Sequence, residues 1–253
     1  MTTHLNTVRT LMIMVCTLVL SGGTANAWTV DDLSSALSNA TRSAPDMARD
    51  EARKPAAVLV FAGVEPGMSV LDVMSAGGWY SEVLATAVGP DGTVYAENPA
   101  WLIEAMEGRV VKALASRLAD NRLPNVVRVD EGLDKGTIAA GSIDIALTAL
   151  NMHDTFDRFG RNATLEQMSQ IYTALKPGGI FILIDHSGKA GPNNKQLHRI
   201  EQHIMEGIAL EAGFTLEAKG QMLKHPEDDL TKMVFAKGLR GNTDRFVLKL
   251  RKH

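Results

Sequence analysis

Val70-Leu71-Asp72-Val73-Met74-Ser75-Ala76-Gly77-Gly78-Trp79-Tyr80 is the stretch from which the rest of the chain can be read. Val70 to Val73 is a short apolar run bounded by turn residues, the pattern of a strand covered on both faces. Tyr80, Val83, Leu84 and Ala87 recur at i, i+3, i+4 and i+7, so a helix follows. Between them, Ala76-Gly77-Gly78 allows close approach of backbone to a ligand, because glycine tolerates positive φ and carries no Cβ. The N–H groups at the start of the helix are free to receive an anionic group. Strand, small-residue loop and helix together open an α/β sheet that holds an adenosyl cofactor.

Working outward, strand signals alternate with helical ones. Thr93–Ala96, Val126–Val129, Ile143–Leu147 and Ile180–Ile184 read as strands two to five. Phe214–Lys219 and Phe246–Leu250 read as a closing antiparallel pair, separated by a loop at His225–Gly241. A helix opens at Pro99 and runs through Ile103, Met106, Val110 and Leu114. Another carries Leu165, Met168, Ile171 and Leu175, stopped by Lys176-Pro177-Gly178-Gly179. A last long helix carries Leu197, Ile200, Ile204 and Ile208. Alternating strands and helices imply a parallel sheet. Upstream, Thr29 to Asp32 has the form of a capping box, and Asp46–Phe61 reads as helix interrupted at Lys54-Pro55.

The acid Asp72 just before the loop, and the absence of G-x-G-x-x-G, set this loop apart from a dinucleotide fingerprint. The arrangement resembles motif I of the class I S-adenosylmethionine-dependent methyltransferases, D/E-x-G-x-G-x-G, with Met74 and Ala76 in place of the first two glycines and Gly78 matching the third. AGGWYSEVLA and ARDEARKPAAVLVFAGVEPGMSVLDV resemble a narrower group of exported methyltransferases, and LKPGG before strand five is a frequent phrase of the class. The resemblance covers most of the chain after Asp46. It implies a three-layer Rossmann-like α/β fold: a seven-stranded, mostly parallel sheet with a C-terminal antiparallel hairpin and an N-terminal helical extension. The extension, residues 28–62, would lid the site of a domain at 63–253, with Asp50, Arg53 and Lys54 as candidates at the entrance.

The resemblance also implies S-adenosyl-L-methionine as cofactor and assigns site residues at the carboxyl ends of the strands. Asp72, Ala76, Gly77 and Gly78 would face its methionine part. Glu97 or Asn98 would grip the ribose; a carboxylate accepts two hydroxyl hydrogen bonds better than an amide does, which favours Glu97. Asp130 or Glu131 would accept from the adenine amino group. Asn151-Met152-His153-Asp154 resembles the strand-four segment of quinone-type C-methyltransferases. Asn151 would order the loop or touch the cofactor, and His153 and Asp154 would face a small-molecule acceptor, with His153 and then His186 as candidate bases.

Other chemistries lack their residue patterns. There is no HExxH and no cysteine ligand set, and on a continuous helix His198 and His203 would point about 140° apart, so no metal is expected. No G-x-S-x-G elbow follows a strand. A net charge of −3 without a basic cluster gives no sign of a nucleic-acid partner. At the N-terminus, His4 and Arg9, the apolar run Leu11–Leu20 and Ala25-Asn26-Ala27 form a secretory signal peptide, residues 1–27, with cleavage after Ala27. The run is too short to span a bilayer, so a periplasmic or secreted protein without stable membrane insertion is expected. The one cysteine, Cys16, falls within this segment.

Overall fold

The computed structural model describes residues 27–191 and 193–253. The expected signal peptide, apart from Ala27, lies outside the described residues. In chain order the elements are α1 (Val30–Asn39), α2 (Ala44–Met47), α3 (Asp50–Arg53), α4 (Pro55–Ala62), β1 (Ser69–Val73), α5 (Trp79–Val88), β2 (Thr93–Glu97), α6 (Ala100–Ala105), α7 (Arg109–Leu118), β3 (Val126–Val129) and β4 (Ile143–Ala149). Then come α8 (Met152–Phe159), α9 (Arg161–Ala174), β5 (Leu175–His186), α10 (Asn194–Leu197), α11 (Gln202–Glu211), β6 (Thr215–Gly220) and β7 (Arg245–Arg251). One seven-stranded sheet has the order β3-β2-β1-β4-β5-β7-β6. The first five strands run parallel, while β7 lies antiparallel to both β5 and β6.

Alternation along the strands divides the core into two layers. On β1, Val70 packs with Leu33, Leu59, Val83 and Leu84 of α1, α4 and α5. Its neighbours Leu71 and Val73 face Met168, Ile171 and Ile208 of α9 and α11 on the other side. Every one of these side chains is fully buried. The N-terminal helices are thus part of the core: Trp28 Nε1 donates to the Ala87 carbonyl at 2.9 Å, and Thr29 caps α1 as expected. Among the described residues no helix is long and apolar enough to cross a membrane.

Three helical expectations change. The run from Pro99 breaks into α6 and α7, because Glu107 and Gly108 adopt positive φ between them. The Asp46–Phe61 segment is three short helices, α2 to α4, with Lys54 left-handed (φ 43°, ψ 53°) just before Pro55. The long helix expected through Leu197 and Ile200 does not form. Instead α10 ends on His198 in a left-handed conformation (φ 55°, ψ 51°), and Ile200 bridges Ser187 before α11 begins. LKPGG belongs to the irregular start of β5, where the register with β4 shifts.

Candidate functional site

The carboxyl ends of β1, β2, β4 and β5 meet at one edge of the sheet, where an open α/β fold keeps its ligands. The loop after β1 is the centre of this edge. Met74 (φ 55°), Ala76 (φ 50°) and Gly78 (φ 77°) are all left-handed, so the backbone takes a glycine-like course at two positions without glycine. Met74 directs its side chain into the lower core, where it is 1% exposed and receives the Thr155 hydroxyl on its sulfur. At Gly78, which is left-handed, a Cβ would stand 2.6 Å from Leu114 Cδ1, so a larger residue there would be strained and would push that side chain aside.

Several braces hold the loop. The Glu97 carboxylate accepts from the Met74 amide at 3.0 Å, and Asn98 Oδ1 accepts from the Ala76 amide at 2.8 Å. Arg117 donates from Nε to the Gly77 carbonyl at 2.7 Å, and also pairs with Asp46 and the buried Glu82. Asn151 donates to the Met74 carbonyl at 2.9 Å.

A cavity of about 530 Å³ opens beside this loop. Asp72, Met74 to Gly77 and Asn151 form one wall, and His153, Asp154 and His186 the far end. Arg49 and Arg53 reach in from the N-terminal helices. Arg53 lies 4.7 Å from the Trp79 ring centre and 5.8 Å from that of Tyr80. Among the described residues its guanidinium makes no hydrogen bond or ion pair, and the half-buried side chain lines the cavity. Asp50, by contrast, is engaged by Arg42, and Lys54 is exposed.

A second hollow, of about 400 Å³, lies on the other side of the loop and is lined by Glu97, Pro99, Trp101, Leu133 and Thr155 among others. Asn98 and Gly78 line neither space; they shape the loop from behind. At the end of β3, Asp130 pairs with Arg128 through one oxygen, while the other is buried without a partner. Glu131 is exposed, hydrogen-bonded to Thr137, and lies outside both hollows.

Burial sets the charges. It lifts the Asp72 carboxyl to about 7, against the lowering effects of the Ser81 hydroxyl, 2.6 Å away, and Arg53. It lifts Glu97 to about 7 as well, despite the Met74 amide. Desolvation works against charge on His153, but the Asp185 carboxylate at 2.7 Å prevails and raises the imidazole to about 9. Asp185, fully buried, also accepts the backbone amides of His153 and His186. Burial drives His186 down to about 3, and its Nδ1 meets the Thr243 hydroxyl at 2.9 Å.

The site residues that the sequence reading passed over are Asp185, Thr243 and Arg117. Asp185 is the penultimate residue of β5 as Asp72 is of β1, a legible signal; the others come from distant segments with no local pattern.

No protein-family profile matches the chain, and no curated protein matches it in sequence. Solved structures do match. A SAM dependent methyltransferase from Aquifex aeolicus superposes with a TM-score of 0.58 at 19% identity, covering 88% of this chain and 99% of that one. An S-adenosylmethionine dependent methyltransferase from Mesorhizobium loti gives 0.54 at 15%, over 79% and 98%. Phosphoethanolamine N-methyltransferase 2 of Haemonchus contortus, solved with S-adenosyl-L-methionine, gives 0.54 at 15%, over 82% and 56%. The fold is that of the class I methyltransferases. The seven-stranded sheet with antiparallel C-terminal strands, β7 lying between β5 and β6, fits that fold.

Two groups have the chemistry that S-adenosylmethionine requires: the Arg53 guanidinium at the first cavity suits a carboxylate, and the Glu97 carboxylate at the second hollow suits hydroxyl donors. Asp130, like Glu131, lies outside both hollows.

Proposed function

We propose that this protein is an S-adenosylmethionine-dependent methyltransferase acting on a small-molecule acceptor. The observation that carries the reading is the loop Met74–Gly78, held in a triple left-handed path by Glu97, Asn98 and Arg117 although two of its positions lack glycine. Keeping that path in Met and Ala costs about 1–2 kcal/mol per residue, a strain expected where a ligand requires the shape.

Arg53 would hold the cofactor carboxylate and Glu97 the ribose hydroxyls. When bound, the cofactor supplies an electrophilic methyl group on a sulfonium. The protein's work is alignment: the loop backbone and Asn151 fix one reactant, and the wall of His153, Asp154 and His186 positions the other. Asp185 sets the orientation of His153 through two hydrogen bonds. The 530 Å³ cavity is of a size suited to small molecules. We further propose that the protein is exported, on the strength of residues 1–27 alone; N-terminal sequencing of protein recovered from a periplasmic fraction checks this, with Trp28 expected first.

Calorimetric titration of the purified protein with S-adenosylhomocysteine tests the enzymatic reading. Saturable binding of one ligand per chain is expected. No heat and no thermal shift with either S-adenosylhomocysteine or S-adenosylmethionine would sink it.

A further inference from the structure

Two residues that line the cavity, His153 and Asp154, belong to a cluster that helix spacing did not foresee. The left-handed turn at His198 removes that residue from the helix that carries His203 and brings its ring beside α8. His198 Nδ1 stands 3.6 Å from an Asp154 oxygen, and His153 Nε2 stands 3.4 Å from the same atom. The three donor atoms all lie within 4.8 Å of one another. We propose that His153, Asp154 and His198 bind a divalent first-row transition metal ion of the zinc class.

Three features support a site built for a cation. The first is spacing. Tetrahedral donors at bonds of about 2.0–2.1 Å stand about 3.3 Å apart, close to the two separations to Asp154. The His198 side chain, 40% exposed, has room to close on its partners.

The second is orientation from behind. Asp185, which is 0% exposed, engages His153 Nδ1 and so turns Nε2 towards the cluster. A carboxylate behind a histidine ligand fixes its ring and raises its basicity in metal sites. His153 is itself 3% exposed, and its Nε2 makes no hydrogen bond among the described residues.

The third is the frame under His198. A non-glycine residue in the left-handed region needs its surroundings to hold it there. Arg199, completely buried, supplies that hold: it binds the Ser187 and Lys232 carbonyls at 3.0 and 3.1 Å and pairs with Asp228 at 2.9 Å. The Val234 amide donates to the preceding carbonyl, that of Leu197, at 3.2 Å.

Two imidazoles and one carboxylate favour zinc-class ions over magnesium or calcium, which take oxygen ligands. Three protein donors leave a position open, as in catalytic sites. His153 and Asp154 face the cavity, so the open position would take an acceptor bearing an ionisable oxygen or sulfur. This last point rests on the methyltransferase reading; the metal site does not.

The test is titration of the untagged, chelator-treated protein with Zn²⁺ by calorimetry, and with Co²⁺ followed by its visible ligand-field bands. One ion per chain is expected, with Mg²⁺ at least about 100-fold weaker. Asp154→Asn and His198→Asn should each weaken Zn²⁺ at least about 10–100-fold; asparagine tolerates the left-handed turn, and circular dichroism checks the fold. His203→Ala, at a side chain 75% exposed, should leave binding unchanged. Absent Zn²⁺ binding, or binding that survives both variants, overturns the site. The same samples are titrated with S-adenosylhomocysteine: Zn²⁺ binding without it keeps the metal site and removes the methyltransferase reading, and the reverse removes the metal site alone.

Discussion

Asn98 grips Ala76 from both sides: its Oδ1 accepts the Ala76 amide at 2.8 Å, and its Nδ2 donates to the Ala76 carbonyl at 3.2 Å. A third bond, from Nδ2 to the Ser75 hydroxyl at 3.1 Å, completes the amide. Asn98 is 0% exposed, and its loss would leave the buried Ser75 hydroxyl and the half-buried Ala76 amide and carbonyl without these partners. Asn98→Ala should therefore cost about 2–4 kcal/mol in urea unfolding. It should also lower S-adenosylhomocysteine affinity, which calorimetry reads.

Met74 and Ala76 separate two effects that coincide at a glycine. Ala76→Gly relieves a left-handed Cβ, worth about 1–2 kcal/mol, and gives back part of it as unfolded-state entropy. The expected outcome is a melting temperature that holds or rises. Met74→Gly gains the same relief but empties a buried site, a loss of about 2–5 kcal/mol, so its melting temperature should fall.

Much of this was legible in the chain before any coordinates. The β1 acid, the small-residue loop and the helix period fixed the sheet's centre and its ligand edge, because apolar alternation and glycine placement are local signals. Breaks at Glu107 and His198 were not legible. Both are non-glycine residues in left-handed turns, the first closed by local backbone bonds and the second held by contacts from far along the chain, and a continuous apolar period runs straight through them. The roles of Glu97 and Asn98 were half legible: both lie at the strand end, but only packing shows Asn98 turned inwards to the loop and Glu97 lining a hollow.

Asp72 should make stability depend on pH. Its folded value, about 7, lies above the unfolded value of about 3.9. Between these limits the folded protein holds a proton that the unfolded chain has released. Stability from this group is greatest below pH of about 4, falls as pH rises to about 7, and is flat beyond. Glu97 acts with the same sign. Asp72→Asn, which can still accept from Ser81, should flatten part of this slope and stabilise most above pH 7, as measured by thermal unfolding across the range.

Arg53 lacks an acidic partner, so its charge serves a ligand better than it serves the fold. Arg53→Gln should leave unfolding free energy unchanged or slightly higher. It should weaken S-adenosylhomocysteine about 10–100-fold, the worth of one charged hydrogen bond.

Arg199 and Asp228 form a fully buried ion pair. Arg199→Met strands the carboxylate and should cost about 3–5 kcal/mol. Adding Asp228→Leu should recover part of that loss in a double-mutant cycle, since the unpaired charge goes with it.

The reversed direction of β7 has an evolutionary consequence. Had the strand run with its neighbours, its beginning would lie at the far rim, and residues 221–244 could not overhang the reactive edge. As built, one uninterrupted segment delivers Val234, Phe235, Arg240 and Thr243 beside His186 and His198, while the hydrogen bonds that brace the 74–78 turn come from Glu97, Asn98, Arg117 and Asn151. Under the function proposed above, selection on that segment would change the acceptor without retuning the 74–78 turn.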